Sequence, residues 1–80
     1  MNAGDDRRRE RIRWHCRRGM LELDLILVRA FEHHYDTLSE PELDQFEKLL
    51  SLEDPVLLRY LHEGEEPVDF ELKQLVQKIR

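Results

Sequence analysis

His15 and Cys16 stand side by side in "RWHCRRG", and a thiol beside an imidazole is the pair from which thiolate nucleophiles are made. Spacing argues against that use. Neighbours in sequence on a helix project about 100° apart and do not face each other. Cys16 follows Ile12 by four and precedes Met20 by four, the pattern of a small core residue. His33 and His34 are likewise adjacent, whereas zinc chelation by one helix wants two histidines four residues apart. His62 lies elsewhere, and one cysteine cannot build a thiolate cage. "RRG" holds a lone glycine, not a phosphate loop. No nucleophile–base pair, carboxylate pair or metal cluster converges, so the chain does not read as an enzyme.

The run "RRRERIR", Arg7 to Arg13, carries a different chemistry. It has the charge of a nucleic-acid-binding helix or of a patch for an acidic partner. It also suits a solvated helix face, supported by the helix dipole and by ion pairs with Asp5, Asp6 and Glu10. Retention on heparin or RNA that falls steeply with salt would mark the first use. The sole tryptophan, Trp14, ends this charged segment. Two fates are open to it: covering the bundle edge, or sitting in a partner interface, where tryptophan is enriched.

The third cluster is "RRGMLELD", Arg17 to Asp24. Arg18 reads as a cation ending one helix, Gly19 as the left-handed residue that stops it, and Glu22 as an acid in the first turn of the next. Arg18 and Glu22 could pair across the turn, an interaction worth little if exposed. On these grounds the cluster serves as punctuation, and a docking role stays open beside it.

What must position these residues is an all-α fold. The chain has 80 residues, enough for one domain, 1–80, with 1–5 expected to fray. It is 40% hydrophobic and 39% charged, which supports a folded core under a highly charged exterior. Three glycines and three prolines are too few for a turn-rich β architecture. Charge is segregated. Residues 1–19 carry seven arginines against three acids, a balance of +4, and residues 20–80 carry six basic against fifteen acidic residues, a balance of −9. An acidic body of that kind disfavours wrapping of nucleic acid. One cysteine excludes an internal disulfide and fits a reducing compartment. "LILV", Leu25 to Val28, is far too short to span a bilayer, and the N-terminus lacks the apolar core of a secretory signal. The expectation is a mature cytoplasmic protein without membrane insertion.

Five helices follow from periodicity and caps. The first runs from about Asp6 to Arg18, opened by an aspartate and closed at Gly19. The second runs from about Met20 to Tyr35. Leu23, Ile26, Leu27, Ala30, Phe31 and His34 share one face, and Leu21, Leu25 and Val28 a second, as in the buried centre of a bundle. "LSEPEL" opens the third: Ser39 caps, Glu42 completes a capping box, Pro41 sits in the first turn, and Leu38 and Leu43 form a hydrophobic staple. Asp54 caps the fourth, Pro55 takes its first position, and Gly64 stops it before the acidic loop "EGEEP". The fifth begins near Asp69 and buries Leu72, Leu75, Val76 and Ile79. The fold expected is a compact five-helix bundle.

"IRWHCRRGMLELD" resembles the signature region of the SdhE family of flavinylation factors, which are related to mitochondrial succinate dehydrogenase assembly factor 2. The hallmark is an Arg-Gly-x-x-Glu motif between the first two helices, here Arg18, Gly19 and Glu22. The match continues through Asp24 and "FEHHYDTLSEPELDQFEKLLSLEDPVLLRYL", and spans roughly residues 12–80. Two departures are Tyr60, where relatives often carry tryptophan, and an end directly after the fifth helix. The resemblance implies an assembly chaperone, not an enzyme. Its client would be the flavoprotein subunit of succinate dehydrogenase, and often of fumarate reductase. It would promote covalent attachment of FAD to a client histidine. The FAD would belong to the client, and the factor would hold no cofactor stably. The implied client contacts are Arg18, Gly19 and Glu22, with Arg17, Met20, Asp24 and Trp14 beside them. The free factor is expected to be a monomer that binds neither metal nor nucleic acid. The alternative role is a protein-binding regulator of antitoxin type.

Overall fold

Hydrogen-bonded caps and apolar spacing produce five α-helices in the computed structural model, which describes residues 3–80, the side chains from residue 7 onward. They are α1 (Ala3–His15), α2 (Leu21–His34), α3 (Glu40–Leu50), α4 (Asp54–Leu61) and α5 (Phe70–Ile79). A 3-10 turn, Tyr35–Thr37, joins α2 to α3. Among the described residues there is no strand. Of the stretch expected to fray, residues 1 and 2 lie outside the described residues, and residues 3–5 are described only as helical backbone.

The strongest local signal forms as expected. Ser39 is extended, its hydroxyl accepts from the Glu42 N–H at 3.3 Å, and the Glu42 carboxylate accepts from the Ser39 N–H at 2.8 Å. Two free N–H groups of the helix start are thereby satisfied reciprocally. Leu38 and Leu43, either side of the cap, are both buried. α5 opens on Asp69, whose carboxylate accepts from the Leu72 N–H at 3.1 Å. Gly64, at φ 80°, turns the chain after α4 in a conformation that glycine adopts readily.

Three boundaries differ from the sequence expectation. α1 continues back through Asp6, which therefore does not open it; the Asp5 and Asp6 side chains lie outside the described residues. α1 ends at His15, not Arg18, because its last turn tightens: the Cys16 and Arg17 N–H groups donate to the Arg13 and Trp14 carbonyls, each at 3.2 Å. Gly19 is thus a linker residue and not the helix stop. At α4 the cap is Glu53, without a side-chain bond, and Asp54 is the first helical residue. The Asp54 carboxylate is engaged elsewhere.

α3 packs on α5, α2 on α4, and α1 on α3. One core forms from all five helices, with Ile12, Leu23, Leu27, Phe46, Leu49, Leu57 and Val76 sealed from solvent. The expected inner stripes of α3 and α5 are buried, as are Leu23, Leu27, Ala30 and Phe31 of α2, while Ile26 and His34 on the same face are only half-buried. The second apolar face of α2 is not buried. Leu21 is 75% exposed and Leu25 59%, while Val28 is half-buried. A 14-residue helix in a bundle of this size meets neighbours on only part of its girth, so part of its apolar surface faces outward. Val68 and Phe70, at the entry to α5, also stand in solvent.

The basic head folds onto the acidic body. Arg8 bridges Glu40 at 2.9 Å, Asp44 at 2.6 Å and Glu47 at 3.0 Å. Burial alone would disfavour its charge; the hydrogen bond to Asp44 and the charges of Glu47, Asp44 and Glu40 outweigh this and raise its pKa. Arg11 pairs with Glu47 at 2.8 Å. Arg9 pairs with Asp36 at 2.7 Å and lies over the rings of Phe31 and Tyr35. The arginine run is therefore more than a solvated face: three of its members clamp α1 to the body. Of the in-helix partners expected, Glu10 makes only a loose contact with Arg13 at 3.9 Å.

Candidate functional site

The turn between α1 and α2 is where four helices converge on one residue. The Arg18 Nε donates to Asp54 Oδ1 in the first turn of α4 at 2.9 Å. Nη1 donates to the Leu50 carbonyl at the end of α3 at 2.8 Å and to the His15 carbonyl of α1 at 3.2 Å. Nη2 donates to the Leu52 carbonyl in the α3–α4 joint at 2.9 Å. The Arg18 main-chain N–H donates to Asp24 Oδ1 on α2 at 2.5 Å. A guanidinium carries five donors in a planar fork, and here four acceptors converge on it. The Leu50 carbonyl is one of those that a helix end leaves without an internal partner.

The cross-turn pair between Arg18 and Glu22 does not form. Asp54 holds Arg18 instead, and the Arg18 side chain is only 17% exposed. This also explains why Asp54 does not cap α4: its carboxylate faces the guanidinium. Glu22 stands in the first turn of α2 with its side chain in solvent. Arg17 is exposed as well, and neither has an ion-pair partner among the described residues.

Gly19 has φ 81°, a conformation costly for any residue with a Cβ. Nothing lies within 4 Å of where that Cβ would stand. The glycine is required by its backbone conformation, and the space in front of it is open. Trp14 is 73% exposed, so it does not cover the bundle edge. With Arg17 it lines two surface grooves, one alongside Glu10, Arg11 and Arg13, the other alongside His15, Arg18 and Asp54. Met20 is exposed, and Leu21 and Leu25, four residues apart on α2, continue the apolar surface from the turn.

The site residues named from sequence thus divide. Trp14, Arg17, Gly19, Met20 and Glu22 lie on the surface around one turn. Arg18 and Asp24 are half-buried and bond to their own chain. Sequence reasoning missed Leu21 and Leu25 as surface, and Asp54 as the anchor of Arg18. For the leucines the available signal was apolar residues on more faces than one small bundle can cover.

The other clusters show different geometry. Cys16 is fully buried while His15 is exposed, so the two do not meet. Burial pushes the Cys16 thiol up to about 12, against the lowering influence of the Arg18 charge, so no thiolate is available near neutral pH. The His33 and His34 rings lie 6.4 Å apart. Among the described residues no three or more His, Cys, Asp or Glu side chains gather where they could hold a metal. No described helix is long and apolar enough to cross a membrane.

The chain is similar to known proteins over most of its length. Residues 10–80 match the family model described as "Flavinator of succinate dehydrogenase". The chain is 44% identical over 72 residues to the FAD assembly factor SdhE of Pectobacterium atrosepticum, covering 90% of this chain and 82% of that one. It is 47% identical over 70 residues to the protein of the same name from a Serratia species, covering 88% and 80%. It is 45% identical over 76 residues to that of Legionella pneumophila, covering 95% of both chains. On these matches the chain belongs to the family of succinate dehydrogenase flavinators, assembly factors for FAD attachment that are not themselves enzymes.

Proposed function

We propose that this chain is an assembly chaperone that docks on the flavoprotein subunit of succinate dehydrogenase, and also on that of fumarate reductase, and promotes covalent attachment of FAD to a client histidine. The single observation that carries the docking surface is the exposed Trp14, Arg17, Met20, Leu21, Glu22 and Leu25 around the open turn at Gly19, on a chain of this family. A large aromatic ring, apolar side chains and unpaired charges of both signs are what the centre and rim of a protein interface use. Trp14 and the leucines supply the desolvated contact. Arg17 and Glu22 meet opposite charges on the client. Gly19 lets the client backbone approach, because no Cβ stands in front of it.

The factor acts by selection of a client conformation. Bond formation needs the client histidine, the flavin and the groups that stabilise charge to be held in line. A rigid bundle that binds this arrangement more tightly than the open one shifts the client toward it by the difference in affinity. The FAD stays with the client, and the chain holds no cofactor of its own. It resides in the cytoplasm and is a monomer when not bound to its client.

Covalent flavin on the succinate dehydrogenase flavoprotein, read by in-gel fluorescence in cells with and without this chain, tests the proposal. Covalent flavin is expected to fall on deletion and return with the wild-type chain. Undiminished fluorescence in the deletion would overturn it.

A further inference from the structure

We infer that Arg18 is a positioning residue that locks the α1–α2 turn from within, and that Arg17 is the cation presented to the partner. The statement about the partner rests on the proposed function; the lock concerns the free chain alone. The three guanidinium nitrogens of Arg18 already donate to Asp54, Leu50, Leu52 and His15, and its main-chain N–H to Asp24. To reach a partner, Arg18 would have to abandon four acceptors, two of them carbonyls at the α3–α4 joint. Breaking such charge-assisted bonds leaves half-buried groups unsatisfied. Arg17, next to it, is exposed and unpaired among the described residues, and lines both grooves beside Trp14.

The lock has a purpose in this geometry. Residues 16–20 lie outside any helix, so no regular hydrogen-bond ladder holds them. Arg18 ties the middle of that linker to α1, α3 and α4 by its side chain and to α2 by its backbone. Trp14, Arg17, Gly19, Met20 and Glu22 flank this anchor within four residues, and their relative placement depends on it. A preformed surface avoids the ordering cost that a loose turn meets on docking. Asp54 and Asp24 therefore contribute to partner binding without touching the partner.

The two roles for Arg18 predict opposite signs for Asp54→Asn. If Arg18 were a contact, releasing it from Asp54 would leave binding unchanged or tighten it. If Arg18 is a lock, Asp54→Asn and Arg18→Lys both weaken binding to the isolated flavoprotein subunit of succinate dehydrogenase, by a similar factor, and the double variant is little worse than either. Lysine keeps the charge but cannot reproduce a planar fork that meets four acceptors. In the free chain, NMR-detected amide exchange of residues 17 and 18 should speed up by about ten- to a hundredfold in both variants, the opening expected when a charge-assisted joint is lost. Exchange at Leu49 and Val76 should stay at the wild-type rate, which shows that the bundle remains folded. Arg17→Gln should leave exchange unchanged and weaken binding in a salt-dependent way. Unaltered exchange at residues 17 and 18 in both Arg18→Lys and Asp54→Asn would overturn the lock. Tighter binding by Asp54→Asn would overturn it too. Failure of the wild-type chain to bind the flavoprotein would sink the proposed function, while free-chain exchange would still decide the lock.

Discussion

At the scale of single residues, the turn separates what the fold needs from what a partner needs. Gly19 serves the fold through its φ of 81°. Gly19→Ala should destabilise the chain by about 1–2 kcal/mol, the cost of placing a Cβ in the left-handed region, although no atom stands in the way. Urea unfolding measures this, and an unchanged midpoint would show that the turn relaxes to another conformation. In the proposed function Trp14 meets the partner. It is the only tryptophan and it is exposed, so its fluorescence should respond to aqueous quenchers in the free chain. Docking of the flavoprotein subunit should shift its emission to the blue and protect it. Trp14→Ala should change stability by less than about 0.5 kcal/mol, as surface substitutions do. The same change should weaken client binding by about 2 kcal/mol or more, as loss of an interface anchor does. A tryptophan that stays quenchable in the complex would place the interface elsewhere. Little of this division was legible beforehand. The Arg-Gly-x-x-Glu spacing marked the turn, but the partner of Arg18 lies 36 residues away in sequence, and nothing local announces a contact at that distance.

At the scale of elements, helix ends were legible where their chemistry is local. Ser39 with Glu42, and Asp69 with Leu72, satisfy free N–H groups within three residues, and both form. The α1 end and the α4 cap were misread because Asp24 and Asp54, on other helices, claim the groups of Arg18. The second face of α2 was misread because apolar periodicity reports that a face is hydrophobic and not what covers it. These elements also set the response to pH. The Ser39 N–H, then Lys78, hold the Glu42 carboxyl below its usual 4.5. Arg80 does the same for Glu66, and Lys48 with the Leu72 N–H lowers Asp69 from 3.8. Groups with lowered folded-state values contribute stability above their unfolded pKa and lose it as pH falls through the folded one. The hydrogen bond to Asp69 raises Lys48 above 10.5, so its contribution is present below that value and is lost as pH rises through the folded one. The thermal midpoint should therefore be flat through neutral pH, fall as pH drops below 4.5, fall again above 9.0, where the Cys16 thiol of the unfolded chain ionises and the buried one does not, and fall further above 10.5. Glu42→Gln, which retains an acceptor for the cap, should soften the acid limb when melts are followed by circular dichroism. An acid limb identical to wild type would mean that other carboxylates dominate it.

At the scale of the whole molecule, much of the segregated charge is paired within the fold. The +4 head does not project as a basic arm, because Arg8, Arg9 and Arg11 neutralise acids of α3 and the 3-10 turn. Outside that clamp, Trp14, Arg17, Leu21 and Leu25 stand exposed at and just after the α1–α2 corner, while Arg7, Val68 and Phe70 are exposed elsewhere. Stability and docking should then be separable by substitution. An 80-residue domain has a stability of about 4–12 kcal/mol. Leu27 is sealed in the core, and Leu27→Ala should cost about 2–5 kcal/mol, a large share of that total. It should lower the melting point, and with it covalent flavin on the client, through loss of folded protein. Leu25→Ala, two residues earlier on the same helix, removes a side chain that is 59% exposed and should barely move the melting point. If the corner is the docking surface, Leu25→Ala with Leu21→Ala should nevertheless weaken client binding. A chemical-denaturation curve and a binding isotherm on the three variants decide it. Loss of stability without loss of affinity in the Leu21 and Leu25 variants would assign that face of α2 to the fold after all.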